Sequence, residues 1–178
     1  SYSNHEAVFL GEATYWGQIR ASRRTTSSVR DVVGPRITPR TFHRVTRFAL
    51  WSLVAIVITG ASVRLTGSGL GCSDWPNCEP GQLVPESDFH GWVEFGNRLV
   101  TGVVSLAVIV AVSAAMRREP RDRALTWWAF GLVAGVAGQV ALGAVTVLTH
   151  LSPPIVMAHF LLSMVLVWNA VVLHHAAD

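Results

Sequence analysis

The chain has 178 residues, of which 51% are hydrophobic, and a formal net charge of +3 at pH 7. Its basic residues are all arginines that flank apolar stretches instead of standing with aromatic stacking residues, so the charge does not indicate nucleic-acid binding. Two cysteines are too few for a structural zinc site, which takes four ligands.

Residues 1–40 are polar and rich in arginine. They lack the apolar core of a secretory signal peptide. We predict that this segment is a disordered cytoplasmic arm. The alternative is that Tyr15 and Trp16, which lie close to the arginines, rest on an anionic membrane surface.

Four uncharged stretches follow, each close to the roughly 20 apolar residues that a membrane-spanning helix requires. They are residues 48–63, 99–116, 124–148 and 151–173. With their flanking residues they predict helices at about 45–65, 89–116, 123–148 and 153–175. The predicted fold class is therefore an all-α membrane protein, with a four-helix transmembrane bundle over residues 41–178.

The arginines also predict the topology of this bundle. They cluster before the first helix and between the second and third, at Arg36, Arg40, Arg44, Arg47, Arg117, Arg118, Arg121 and Arg123. The segment 66–89 has no arginine and contains acidic residues instead. By the positive-inside rule we expect cytoplasmic N and C termini in a plasma-membrane protein, with the segment 66–89 on the outer side.

Cys72 and Cys78 lie in that outer loop, with five residues between them. Disulfides persist outside the cytoplasm, and the glycines and Pro76 around the pair permit a tight ring. One interpretation is a disulfide that only stiffens the loop. The other is a redox pair that accepts electrons or shields a cofactor edge.

The second helix carries polar residues along one face. His90, Glu94, Asn97 and Thr101 follow the helical spacing, and Arg98 stands one turn after Glu94. Glu94 and Arg98 can form a salt bridge that makes both tolerable in lipid. Ionisable groups inside a bilayer usually mark a functional site, so the alternative is a carboxylate facing a cofactor, with Arg98 available for a cofactor carboxylate.

His159 is an isolated imidazole in the fourth apolar stretch. It lies about 9 Å from the outer end of its helix, a depth similar to that of Glu94 and Asn97. It is either a hydrogen-bonding residue between helices or an axial ligand to haem iron. His150, in the outer turn, is either a propionate contact or a solvated loop residue. In the third helix, the glycines at 131, 135, 138 and 143 predict close helix packing.

Three motifs together resemble the haem A synthase family. The loop VRLTGSGLGCSDWPNC, residues 63–78, resembles the family's first outer loop, and EFGNR, residues 94–98, resembles its Glu-x-x-His-Arg motif. The passage GAVTVL followed by PP and MAHF resembles its connection between the third and fourth helices. The likeness covers about residues 40–175 and is strongest to the N-terminal, substrate-binding half of the family's two four-helix halves.

The resemblance implies a haem-dependent oxidoreductase that oxidises a methyl group of haem O to the formyl group of haem A. It implies a catalytic role for Glu94, ligation of the haem iron by His159 and a loop pair at Cys72 and Cys78. Asn97 stands where many members have a second haem-ligating histidine. The iron would then be five-coordinate on His159, or His90 would substitute.

Several expectations follow from the same resemblance. Haem O is the substrate, and a haem b cofactor belongs to a second half. The chain is then either a fragment or one copy of a homo-oligomer. Haem O synthase (protohaem farnesyltransferase), the cytochrome oxidase assembly machinery and membrane lipid are the expected partners. Two other functions stay open, namely a quinone-linked thiol oxidase using Cys72 and Cys78, and a haem b electron-transfer subunit.

Overall fold

Four long helices account for most of the chain in a computed structural model that describes residues 36–86 and 88–178. They are α1 Pro39–Leu65, α2 Phe89–Arg117, α3 Arg123–Leu148 and α4 Pro153–Ala176. All four are long and apolar enough to cross a membrane, and the described residues form no β-strand, which confirms the predicted fold class. The part of the proposed arm before residue 36 lies outside the described residues.

Side-chain caps fix where α1, α2 and α3 begin. Asp88 accepts a hydrogen bond from the Gly91 N–H, and Asp122 accepts from Ala124 and Leu125. The start of α1 was predicted at residue 45, but the helix begins at Pro39, because Thr38 caps it and proline suits its first turn. The prediction followed the apolar stretch and missed this cap.

The helices form a ring in chain order, in which each packs against its sequence neighbours and α4 returns to α1. No Cα atoms of α2 and α4 lie within 8 Å of each other, nor do those of α1 and α3. Packed helix axes lie about 8–10 Å apart, so the axes of α2 and α4 are about 11–14 Å apart across the diagonal of such a ring. Helices α2 and α4 therefore face each other across the centre of the bundle.

Burial along α3 and α4 is confined to one end of the bundle. We call the end with residues 36–38 and 118–122 the arginine end, and the end with residues 66–88 and 149–152 the loop end. The buried apolar residues of α3 and α4 all lie towards the arginine end: Leu125, Ala129, Leu132, Val136, Leu166, Ala170 and Leu173. At the loop end, no residue of 137–148 or 153–165 is buried.

Glycines of α3 bring it close to α4, as the sequence predicted. A Cβ atom at Gly135 would lie 2.3 Å from Leu166 Cδ2, and one at Gly131 would lie 2.7 Å from Asn169 Nδ2. By contrast, a Cβ at Gly102 of α2 would meet nothing within 4 Å. The close contact between α3 and α4 therefore depends on glycine at positions 131 and 135.

We expect Gly135→Ala to destabilise the bundle by about 1–3 kcal/mol, because the added methyl must displace the buried Leu166. Thermal unfolding in detergent, followed by circular dichroism, measures this as a lower midpoint. Gly102→Ala is the matched control and should leave the midpoint unchanged. Equal midpoints for the two variants would contradict the proposed packing, and Leu166→Ala should restore part of the loss in Gly135→Ala.

Candidate functional site

The loop between α1 and α2 packs tightly on the first turn of α2. A Cβ atom at Gly71 would lie 2.3 Å from the carbonyl carbon and oxygen of His90, so only glycine fits there. A Cβ at Gly91 would in turn lie 2.8 Å from Pro85 Cβ. Two glycines thus allow the backbones of loop and helix to touch.

A disulfide joins Cys72 and Cys78, and both residues are fully buried. This confirms the expected bond. The loop closes around it by backbone hydrogen bonds, since Asp74 N donates to Cys78 O and Cys78 N donates to Gln82 O. The disulfide therefore lies beneath the surface of the loop.

Glu94 and Arg98 connect this loop to α2. The Glu94 side chain, in a residue only 5% exposed, accepts from the Cys72 N–H through Oε2 at 3.0 Å and from Arg98 Nη2 through Oε1 at 2.7 Å. Arg98 also donates to the carbonyl oxygens of Asp74, Pro76 and Asn77 at 2.8–3.3 Å. The predicted salt bridge is present, and its two residues also hold the loop against α2.

His90 lies at the mouth of the loop end and is exposed. Its Nδ1 is 2.9 Å from Oγ of the fully buried Ser68, which is itself 2.7 Å from Thr66 Oγ1. The imidazole is therefore attached to the loop and not to the interior of the bundle.

Asn97 faces α1. Its Oδ1 accepts a hydrogen bond of 2.8 Å from Thr59 Oγ1. Thr101 donates to the Asn97 carbonyl. The amide that stands at the expected ligand position thus bridges α1 and α2, at a depth of about 12 Å from the start of α2.

His159 lies against α3. Its Cε1 would be 3.7 Å from a Cβ at Gly143, and its Nδ1 is buried without a hydrogen-bond partner. The His159 carbonyl accepts from Nε2 of Gln139 at 3.0 Å and from Oγ of Ser163. Polar side chains of all four helices therefore lie at the loop end, at depths of about 7–14 Å by helix rise.

The structure brings Glu94, Arg98, Cys72 and Cys78 together but keeps them apart from His159. Glu94 is directed at the loop, His159 lies on α3, and the helices that carry them share no contact. His150 has a positive φ of 53° in the turn before α4. A single ligand could therefore contact both His159 and Glu94 only if it spans the distance between α2 and α4.

The donor set fits a haem better than a bare metal ion. In the described part of the chain, no three His, Cys, Asp or Glu side chains come together as a metal-ion site. His159 has an unpartnered ring nitrogen beside an interior that lacks buried side chains on α3 and α4. One imidazole beside an open apolar space suits a planar macrocycle that brings its own equatorial ligands.

Sequence reasoning missed Gln139, Thr59, Ser163 and Ser68. Gln139 gave a signal that could have been read, because it is a lone amide within the apolar stretch 124–148. The hydroxyl residues gave none, since serine and threonine in apolar helices usually bond to their own backbone. Only the packing of the helices shows that Thr59 reaches Asn97.

Comparison with known proteins identifies relatives. The COX15-CtaA family model, described as cytochrome oxidase assembly protein, matches residues 43–90 and 84–177, more than half of the chain. Heme A synthase of Geobacillus kaustophilus is 36% identical over 105 residues, which are 58% of this chain and 32% of that protein. Heme A synthase of Symbiobacterium thermophilum is 40% identical over 113 residues, 61% and 35% respectively. The chain thus aligns with about a third of the length of these curated relatives.

We expect Arg98→Ala to release the loop, because three loop carbonyls lose their donor and the buried Glu94 loses its counter-charge. Removing one partner of a buried ion pair costs about 3 kcal/mol. Limited digestion with a glutamate-specific protease, read at Glu79, measures loop opening as faster cleavage. Arg64→Ala, at an exposed arginine near the end of α1, should cleave at the wild-type rate. A wild-type rate in Arg98→Ala would show that Arg98 does not anchor the loop.

Proposed function

The chain belongs to the COX15-CtaA family of cytochrome oxidase assembly proteins, and from this premise we propose that its bundle binds haem O for conversion to haem A. In this reaction a methyl group of the macrocycle becomes a formyl group. Because the alignment covers only about a third of each relative, we propose that the bundle is one half of such an enzyme, the substrate-binding half. A second half, or a second copy, would hold a haem b cofactor.

The observation that carries this proposal is the open interior at the loop end. The apolar core of α3 and α4 stops at Val136 and Leu166, although both helices continue for three turns or more towards the loop end. Helices that leave such a space unfilled forfeit packing energy unless a ligand occupies it. A haem macrocycle supplies the missing apolar surface and the iron-centred oxidation chemistry.

We assign His159 as the axial ligand of the substrate iron. Its ring lies beside this space and is placed by the contact with Gly143. In the described membrane-spanning segments, no second histidine lies at the same depth. Asn97 is hydrogen-bonded to Thr59, and His90 is hydrogen-bonded to Ser68 at the loop end of the bundle. One side of the iron would therefore remain free for a small molecule such as oxygen.

Glu94 is our candidate catalytic residue. Its carboxylate is buried and held by Arg98 and the Cys72 N–H, so its position is defined before the substrate binds. A fixed carboxylate can accept the proton released when a substrate hydroxyl is oxidised. Both terminal nitrogens of Arg98 already bind the loop and Glu94, so its contact with a haem propionate remains a prediction.

The buried disulfide argues against the thiol-oxidase alternative. Both cysteines are fully buried, whereas a thiol-exchange pair must be reached by its partner. A haem b electron-transfer subunit would place two histidines on facing helices on either side of a haem, and His159 has no such partner among the described helical residues. His43 and His174 lie together on α1 and α4, but their ring centroids are 4.3 Å apart, which leaves no space for a haem between them. We therefore propose that the disulfide has a structural role in the loop.

The arginine placement supports a plasma-membrane location, with the loop end on the outer side. Haem O synthase and the machinery that assembles cytochrome oxidase are the partners we propose, since one would supply the substrate and the other would use the product. Homo-oligomerisation is the route by which two such bundles would meet if no second half follows in the chain.

We expect His159→Ala to weaken haem binding at least about tenfold, since a lost axial bond exceeds the 1.4 kcal/mol that corresponds to that factor. Titration of the purified chain in detergent with haem O, read from the Soret band, measures this loss. His175→Ala removes an exposed imidazole at the arginine end and is the matched control. If His159→Ala binds haem as tightly as the wild type, His159 is not the ligand.

We expect Glu94→Gln to retain haem but lose haem A formation, because the amide cannot accept a proton. The assay uses the longer protein that contains this chain and measures the formyl haem by its pyridine haemochrome spectrum. Glu79→Gln, in the loop, should keep the wild-type yield. A full yield of haem A from Glu94→Gln would remove Glu94 from the mechanism.

A further inference from the structure

Two buried polar atoms at the loop end lack hydrogen-bond partners although they belong to residues that contact each other. Gln139 Oε1 on α3 and His159 Nδ1 on α4 are both buried and unpaired. Gln139 Nε2 meanwhile donates to the His159 carbonyl at 3.0 Å and to Ser163 Oγ at 2.6 Å. A buried polar atom without a partner costs about 1–3 kcal/mol, so both atoms require an explanation.

The orientation of the Gln139 amide follows from chemistry. A backbone carbonyl only accepts, and the Ser163 hydroxyl donates its own hydrogen to the same carbonyl. The atom of Gln139 that faces them must therefore be the donor nitrogen, which turns the oxygen away from them. Gln139 thus has a free acceptor, and its amide is attached to the backbone of His159.

The imidazole offers the complementary group. A neutral histidine carries one N–H, and when its Nε2 binds a metal the hydrogen lies on Nδ1. Metal-ligating histidines almost always donate this second nitrogen to an oxygen acceptor or a water. A Cβ atom at Gly143, one turn after Gln139 on α3, would lie 3.7 Å from Cε1 of His159. The ring therefore lies alongside this stretch of α3.

We propose that Gln139 is the positioning residue of His159. In the haem-bound protein its Oε1 accepts the Nδ1–H of His159, directly or through one water, and leaves Nε2 for the haem iron. The inference rests on the proposed haem-binding function. It adds a residue that neither touches the substrate nor forms the loop, and that determines how strongly the imidazole donates electrons to the iron.

A hydrogen bond from Nδ1–H makes the imidazole a stronger electron donor and favours the ferric state. Loss of the acceptor should therefore raise the midpoint potential of the bound haem and lower the iron–imidazole stretching frequency. Loss of an outer partner typically weakens metal binding by about 10–100-fold, so we also expect haem affinity to fall about tenfold. A residue that served only helix packing would leave the frequency and the potential unchanged.

The test compares Gln139→Met, which is close in size and lacks the acceptor, with the wild-type chain loaded with haem b added as hemin. Resonance Raman spectra of the ferrous form and a redox titration supply the two readouts. Gln139→Leu is a second variant in case the first folds poorly. We expect a lower stretching frequency and a higher potential in every folded Gln139 variant.

Asn169→Leu is the control for the substitution. It removes another amide whose Oδ1 atom is buried and unpartnered, on α4 about 15 Å from His159. This variant should retain the wild-type frequency and potential.

The outcomes separate this inference from the proposed function. If the wild-type chain binds haem through His159 but Gln139→Met leaves frequency and potential unchanged, the positioning role is wrong and haem binding stands. If the wild-type spectrum shows no iron–imidazole band, or if His159→Ala does not abolish that band, the ligand assignment is wrong and the role of Gln139 falls with it.

Discussion

Uneven packing between α3 and α4 is the constraint on which the rest of the bundle depends. Small residues at Gly131 and Gly135 bring the two helices closest in the half nearer the arginine end, where an added Cβ atom would lie 2.3–2.7 Å from α4, against 3.3 Å at Gly138 and 3.7 Å at Gly143. In a membrane, helices gain little from hydrophobic burial against one another, so close van der Waals contact must hold them. The closest contact, in one half, stabilises the bundle, and the looser half is where we place the ligand.

The loop closes the open half, and its attachment is electrostatic. A buried carboxylate and guanidinium would be costly if either were alone, but Glu94 and Arg98 satisfy each other and the loop backbone at the same time. The same carboxylate is our candidate for catalysis. Because Glu94 would both anchor the loop and take part in the reaction, the position of the loop would affect the chemistry beneath it.

The sequence predicted the fold well because the length of each apolar stretch is a strong signal. Three helices begin where predicted, and the start of α1 differs because Thr38 caps a charged extension of that helix. For the candidate site, the salt bridge and the disulfide were predictable from spacing. Partners across helices were not, since the bond between Thr59 and Asn97 depends on helix rotation, which no residue pattern specifies.

Close contact of Gly71 with the backbone of α2 has a consequence for how this loop can vary between relatives. The length of the segment before Cys72 is constrained, because an insertion there would replace glycine by a bulkier residue at the point of contact with the helix. Residues 80–84 are exposed, and a longer excursion there would project into solvent. We therefore expect natural length variation to be tolerated after the disulfide and selected against ahead of it.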